Sequence, residues 1–185
     1  MANTTEVTIP IRTGQWQIDP THSSVEFSVR HMMVSKVKGR FTSFSGTITA
    51  AEEPLRSSVQ ASIDLASIDT HDETRDAHLR SADFFDVEQY PTMTFSSTAL
   101  RQEGDHYLLS GDLTLHGVTR SLDLDLEANG VGPDPWGGVR AGFTATTQLN
   151  RKDFGLTWNA AIEGGGGVVV GDVIRVTLEI EAVQQ

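Results

Sequence analysis

Apolar and polar residues alternate with a period of two along most of the chain. In residues 24–31, Val25, Phe27, Val29 and His31 share one face, and polar residues and Arg30 occupy the other. A strict period of two over a run of this length is typical of a strand with one buried face. The same alternation predicts strands over residues 43–48, 58–65, 92–96, 121–126, 143–145 and 175–181, and residues 108–116 are also strand-like.

Turn residues separate these runs. Gly104-Asp105 lies between two predicted strands, and Gly117 follows His116 in a predicted tight hairpin. Residues 132–138 contain two prolines and predict a loop. Four consecutive glycines, Gly164 to Gly167, predict a flexible connection.

One segment departs from the strand pattern. Residues 70–81 are charged and lack Gly and Pro, and they predict a short helix with an N-cap at Thr70 or Asp72. A weaker helical turn is predicted over residues 31–37. Many short strands with hairpin connections and one or two short helices indicate a mainly β protein, either an antiparallel barrel or a sandwich. A barrel of seven or eight strands holds either its own side chains or one slender ligand, and the pattern does not choose between these.

Composition limits the classes of function. The chain has 185 residues, which suits one domain, and we predict a tail or loose edge strand over residues 1–14 and the barrel domain over residues 15–185. The formal net charge of -11 disfavours nucleic acid and anionic lipid headgroups at long range. The best local exception is the short basic run Lys36, Lys38 and Arg40, which has no interleaved aromatic residues.

Several sequence signals are absent. The chain has no cysteine, which excludes disulfides and thiolate metal sites. The N-terminal residues have neither the basic start nor the apolar core of a secretory signal. No stretch approaches the roughly 18 consecutive apolar residues of a transmembrane helix. We therefore expect a cytoplasmic protein that does not span a membrane.

A series of short motifs allows a comparison with known protein families. They are DPTHS at residues 19–23, VRH at 29–31, GRF at 39–41, FSG at 44–46, IDT at 68–70, RDAHLRSADFFD at 75–86, YPT at 90–92, GDLTLHGVT at 111–119, NRKDFG at 150–155 and VGD at 170–172. In this order and spacing they resemble the YceI family over about residues 15–183. Two features depart from the family: the glycine run is about one residue longer than expected, and many relatives carry a secretion signal.

The resemblance implies both a fold and a ligand. The fold is a lipocalin-like barrel of eight antiparallel strands, with a helix that closes part of one end. The ligand is a polyisoprenoid lipid, such as a polyprenyl pyrophosphate or the tail of a quinone. Relatives also suggest a possible homodimer.

Candidate ligand contacts come from the inward faces of the predicted strands. Their shared parity predicts an elongated cavity along the barrel axis. Aromatic rings and flexible thioethers suit a long apolar guest, although the same side chains would also pack against each other in a filled core. The candidates are Phe27, Val29, His31, Met32, Met33, Phe44, Ile48, Phe95 and Phe143, and Phe84 and Phe85 after the predicted helix are added to them.

Polar candidates cluster on the predicted helix and after it. His78 and Arg80 are predicted to face a ligand headgroup at the barrel mouth, because Phe84 and Phe85 would anchor this end of the helix on the barrel. Lys152 is a third, weaker candidate. The alternative is that the helix charges form solvated ion pairs. The six histidines lack the spacing of a metal site, so we expect neither a metal nor a cofactor.

The leading hypothesis is a non-enzymatic protein that binds an isoprenoid lipid for transport or storage. No nucleophile elbow, phosphate loop or dinucleotide motif is present, so no catalytic residue is predicted. One alternative is an enzyme that acts on a lipid-like or polyketide-like substrate in the same cavity, for example through His31 and an acid. The other is a stress or interaction module with a filled barrel.

Overall fold

Strands and one short helix make up most of the chain. The computed structural model describes residue 9 and residues 11–160 and 169–185. The strands are β1 Gly14–Ile18, β2 Ser24–His31, β3 Ser35–Phe41, β4 Phe44–Ala50, β5 Ser58–Asp64, β6 Ile68–Asp69, β7 Thr92–Glu103, β8 His106–Leu115, β9 Val118–Pro133, β10 Val139–Asn150 and β11 Val170–Gln184, and the helix is α1 Glu73–Arg80. Single 3-10 turns occupy Pro54–Arg56, Leu65–Ser67 and Arg151–Phe154.

All pairings between these strands are antiparallel, and the sheet closes on itself. The closed ring runs β1-β4-β5-β7-β8-β9-β10-β11, because β1 pairs with both β4 and β11. The remaining strands, β2, β3 and β6, continue the wall at one end: β11 pairs with β1 through its last residues and with β2 through its first ones. The predicted antiparallel barrel of about eight strands with one or two short helices is confirmed.

Inward and outward residues alternate as the sequence predicts. In β8, every second residue from Tyr107 to Leu115 is buried. The predicted run 24–31 has the same bounds as β2. Gly111 also faces inward, where the ring of Phe95 lies against its Cα and leaves no room for a Cβ. One face of the closed sheet therefore forms the hydrophobic core.

One local prediction is wrong, and two are adjusted. Residues 31–37 do not form a helical turn, because β3 begins at Ser35 and alternates between outward Lys36 and Lys38 and inward Val37. The observed loop between β9 and β10 is shorter than the predicted one over residues 132–138, since Pro133 still pairs with Val139.

The helix is also shorter than predicted. It begins after Asp72, whose side chain accepts a hydrogen bond from the amide of Arg75 at 3.0 Å, as an N-cap does.

The predicted hairpin at Gly117 is confirmed, with positive φ at His116 and Gly117. The predicted flexible connection at Gly164 to Gly167 lies outside the described residues. Within the described ranges, no helix is long and apolar enough to cross a membrane.

The end of the barrel that carries Gly14 and the β9–β10 loop is covered by the chain that precedes β1. Ile9 is buried, and the buried Trp16 donates its indole N–H to the carbonyl of Arg12 at 2.9 Å. Part of the predicted tail, as far as the structure describes it, thus packs against the barrel.

An arginine connects four segments at this end. The guanidinium of Arg140 in β10 donates to Asp19 at 2.8 Å, to Glu181 at 2.7 Å and to Asp134 at 3.0 Å. Hydrogen bonds from Thr21, Arg140 and His22 hold the pKa of Asp19 well below its usual range. The turn after β1, the β9–β10 loop, β10 and β11 are joined by one cation.

We predict that Arg140→Gln lowers the thermal stability and flattens its dependence on acid pH. A carboxyl whose pKa is lower in the folded state contributes stability above its unfolded pKa, about 3.9, and loses it as the pH falls towards the folded pKa. Asp19 in the variant lacks one of the bonds that lower its pKa, so less stability remains to be lost. Thermal melts from neutral to acid pH measure both effects.

The matched control is Arg101→Gln, which removes an exposed arginine 3.5 Å from Asp123. Exposed pairs of this kind contribute little, so its melting temperature should stay near that of the wild type. Equal melting temperatures for the two variants would contradict the assigned role of Arg140.

Candidate ligand cavity

The interior of the barrel contains a cavity of about 270 Å³. Its volume is slightly below the roughly 300–1,000 Å³ of typical ligand pockets. Of the lining residues that the structure describes, all but Ser45, Ser57, Thr147 and Arg151 are apolar. Such a wall offers apolar contact over nearly its whole area and very few groups that could fix a polar guest.

The cavity extends along much of the barrel. The residues of β11 that line it run from Val170 to Ile180, which corresponds to roughly 33 Å of strand at about 3.3 Å per residue. Ile9 and Leu100 line it towards one end, and Leu79 and Leu156 towards the other. The space is therefore long for its volume, and a slender chain fits it better than a compact ring system.

Most of the predicted apolar contacts lie on this wall. Eight side chains from β2, β4, β7, β10 and the segment after α1 belong to it: Phe27, Val29, Phe44, Ile48, Phe84, Phe85, Phe95 and Phe143. That they bind a ligand remains a prediction. Their common position follows from strand parity, because alternate residues of every strand face the interior.

His31, Met32 and Met33 do not line the cavity. His31 is the last residue of β2, and the two methionines form the turn that follows, where they are 44% and 50% exposed. The parity of β2 points His31 inward, but the β2–β3 hairpin extends past the cavity wall at this position. The structure therefore does not bring these three residues together with the other candidates.

Aromatic side chains close the cavity at the α1 end. Phe85 packs edge-on against Phe41, with ring centroids 6.0 Å apart. His78 of α1 lies between Phe84, at 5.1 Å, and Trp158, at 4.7 Å, and its Nε2 is 2.8 Å from Asp83. Trp158 was not among the sequence candidates, because it lies in a stretch without strand or helix periodicity.

The other two cationic candidates are already engaged in the protein. Arg80 donates to the backbone carbonyls of Ala66 at 2.9 Å and Ile68 at 3.2 Å. Lys152 is half exposed and lies 3.1 Å from Asp172. Their predicted contact with a headgroup remains a prediction, and it would compete with these partners.

Among the described residues, the charged one on the cavity wall is Arg151, which the sequence reasoning missed. It is 2% exposed, and its guanidinium donates to the carbonyls of Gly171, Leu156 and Trp158 at 2.8–2.9 Å. Burial lowers its pKa, and nearby Asp172 partly offsets this. Arg151 therefore ties the chain after β10 to the start of β11 and has few hydrogen bonds left for a guest.

Within the part of the chain that the structure describes, one group of residues has the spacing of a cation site. Single ligand atoms of Asp19, His22 and Glu181 lie within 4.8 Å of one another. Arg140 donates to both carboxylates, so a metal ion would have to displace the guanidinium. The expectation that the protein holds no metal stays a prediction, which metal analysis of the purified protein can test.

Acid–base chemistry would require a titrating pair that faces the cavity. The histidines of the described residues that lie close to a carboxylate are His22, His71, His78 and His106, and none of the four belongs to the wall. His31, proposed above with an acid as a catalytic pair, is not among them. The arrangement supports enclosure of an apolar molecule.

A closed antiparallel barrel around an apolar cavity defines a lipocalin-like fold. Residues 16–182 match the family described as the YceI-like domain, and the chain belongs to this family. It is 38% identical over 175 residues to Protein YceI of Salmonella newport, and the match covers 93% of this chain and 88% of the relative.

Solved structures share the same fold. The YceI protein of Campylobacter jejuni is 30% identical, with a TM-score of 0.71 over 84% of this chain and 90% of the other. A polyisoprenoid-binding domain from Saccharophagus degradans has a TM-score of 0.71 at 20% identity, over 92% of this chain and 98% of the other. The predicted resemblance to the YceI family is confirmed.

The hydrogen bonds of Arg80 lead us to predict, against the headgroup role predicted from the sequence, that Arg80→Ala would weaken the binding of isoprenoids with charged and uncharged heads by the same factor. Its guanidinium holds two backbone carbonyls next to α1, so the loss should act through the position of the helix. Titration with a polyprenyl phosphate and with the matching polyprenol measures both affinities. If only the affinity for the polyprenyl phosphate falls, Arg80 contacts the headgroup instead. Lys152→Ala is the comparison variant at the same end of the barrel.

Proposed function

We propose that this protein binds a long-chain isoprenoid lipid inside the barrel and transports or stores it. The observation that carries the proposal is the long apolar cavity, whose wall consists of aliphatic and aromatic side chains with four polar residues. A polyprenyl pyrophosphate or an isoprenoid quinone has the matching shape, a flexible chain that ends in a polar head. The Saccharophagus degradans domain, described as polyisoprenoid-binding, supports this choice of ligand through its shared fold.

Burial of the chain is the proposed source of affinity. Each methylene-sized unit removed from water contributes about 0.8 kcal/mol. Ordering a flexible chain offsets much of this gain, so affinity should rise with chain length more slowly than burial alone predicts. A polar head near one end would then set the orientation of the guest more than its affinity.

The same geometry disfavours the two alternative functions. A filled barrel would contain no cavity, which conflicts with the open space of about 270 Å³. A catalyst would need a reactive side chain at the wall, and the charged lining residue among those described is Arg151, which is bonded to backbone carbonyls. We therefore favour a carrier over an enzyme.

Mass spectrometry of an organic extract tests the proposed ligand. Protein purified without detergent should release an isoprenoid at close to one molecule per chain after exposure to a total lipid extract. Delipidated protein should then bind the purified compound in a titration. Recovery of only straight-chain fatty acids, or of no lipid, would contradict the proposal, and consumption of the compound during incubation would indicate an enzyme.

We predict that Ala145→Phe lowers isoprenoid affinity by at least about tenfold, which corresponds to about 1.4 kcal/mol. Ala145 in β10 is buried and lines the cavity, so a phenyl ring there would occupy part of the space that the chain needs. Binding is measured by titration with a polyprenol. Thermal melts must show that the variant is folded.

The matched control for this variant is Thr146→Phe. Thr146 is the next residue of β10, is exposed and points away from the interior. The same phenyl ring is thereby added to the same strand, outside the cavity. Similar losses of affinity in both variants would mean that the interior of the barrel is not the binding site.

A further inference from the structure

Three consecutive apolar residues are exposed at the tip of the β2–β3 hairpin. Met32, Met33 and Val34, the hairpin tip, are 44%, 50% and 85% exposed. Single exposed apolar side chains are ordinary, but a contiguous group at the end of a projecting hairpin often marks a contact surface. Nothing in the wall of the cavity uses these side chains.

The backbone conformation of the tip disfavours methionine at two of its positions. Met32 and Met33 have φ values of 52° and 62°, in the left-handed region that side chains other than Asn, Asp and Gly rarely adopt. A turn whose two central residues both have positive φ favours Asn-Gly at those positions. The methionines thus contribute an apolar surface that the geometry of the turn does not require.

Cations flank the tip on the outer face of the hairpin. Arg30, Lys36 and Lys38, the basic face, are exposed, and Arg30 lies directly opposite Lys36 in the strand register. Like charges in this position destabilise a strand pair. None of the three forms an ion pair with a carboxylate of the described residues; of the neighbouring cations, Arg40 pairs with Asp69 at 3.3 Å.

The sequence separates this region from the acidic remainder of the protein. Residues 27–51 contain four cations and no Asp or Glu, in a chain with a net charge of -11. An anionic surface would therefore attract this hairpin and repel most of the rest of the molecule. The charge distribution gives the protein one preferred orientation on such a surface.

The hairpin also flanks one end of the cavity. Val29 of β2 lies on the cavity wall, as do Val170 and Ile174 of the adjacent β11. The amide of Met32 donates to the carbonyl of Val169 at 2.9 Å, which fixes the tip next to the start of β11. A surface that the hairpin contacts would lie near this end of the cavity.

We propose that the β2–β3 hairpin docks the protein on an anionic lipid bilayer. The tip inserts its three apolar side chains below the headgroups, and the basic face contacts the lipid phosphates. A nucleic acid fits less well, because no aromatic side chain in the hairpin tip or the basic face is available to stack on bases. This inference goes beyond the proposed function and does not require that the cavity hold an isoprenoid.

Co-sedimentation with vesicles of equal parts phosphatidylcholine and phosphatidylglycerol tests the docking. The double variant Met32→Asn/Met33→Gly removes the apolar tip but suits the positive φ values of the turn, so it should melt at the same temperature as the wild type or higher. It should partition onto these vesicles at least about tenfold less. The control is Trp136→Ser, which removes a 78% exposed tryptophan from the β9–β10 loop at the other end of the barrel.

A second pair of variants tests the charges. Lys36→Gln/Lys38→Gln should lower partitioning by about 25-fold, since each cation near an anionic membrane contributes about fivefold. Arg56→Gln/Arg101→Gln changes the net charge equally at exposed positions away from the hairpin and should have little effect. Pure phosphatidylcholine vesicles and high salt should each weaken the binding of the wild type.

Four results would overturn the docking inference. The first two are that the tip variant and the wild type partition equally, and that the two charge variants have equal effects. The third is that the protein binds a single-stranded oligonucleotide more tightly than vesicles. The fourth is that the protein forms a dimer in solution that the tip variant abolishes. Tip-dependent vesicle binding by a chain that retains no isoprenoid would support docking and overturn the proposed function. Lys36→Gln/Lys38→Gln should keep wild-type isoprenoid affinity when vesicles are absent.

Discussion

Closure of the sheet is the constraint on which the rest of the structure depends. A barrel closes here because β1 pairs with β4 on one side and with the end of β11 on the other. Once the sheet is closed, its two faces are an inside and an outside, and no strand edge remains in the ring. The period-two pattern then has only one solution, with apolar residues inside and polar residues in water. The cavity is what remains where these inward side chains do not meet.

Arginines reinforce the two ends of the barrel, where backbone pairing stops. Arg140 joins three carboxylates at one end, and Arg151 joins three carbonyls at the other. Both side chains satisfy groups that the sheet cannot pair, and a guanidinium suits this task because it has five donors in a fixed plane. The charged side chains of Arg140 and Arg151 therefore lie at the ends of the barrel wall, and the middle of the cavity remains apolar.

The sequence predicts the barrel wall well and its ends poorly, for a physical reason. Strand parity is local, so the inward positions of Phe27, Phe95 and Phe143 follow from their immediate neighbours in sequence. The place of Arg151 depends on contacts with a strand that begins about twenty residues later, and no local pattern records them. His31 shows the limit of parity: it has the inward phase of β2 but lies beyond the cavity wall.

The distribution of polar groups bears on how a guest would enter and leave. The described residues of the cavity wall offer a guest almost no hydrogen-bond partner, so its retention would rest on burial, which is nondirectional and does not depend on exact position. Release into water would expose the chain and forfeit that free energy, whereas transfer into a bilayer would not. Under the proposed function, the guest would therefore exchange most readily when one end of the cavity meets lipid. The exposed apolar tip beside Val29 and the cations behind it lie where such an encounter would occur.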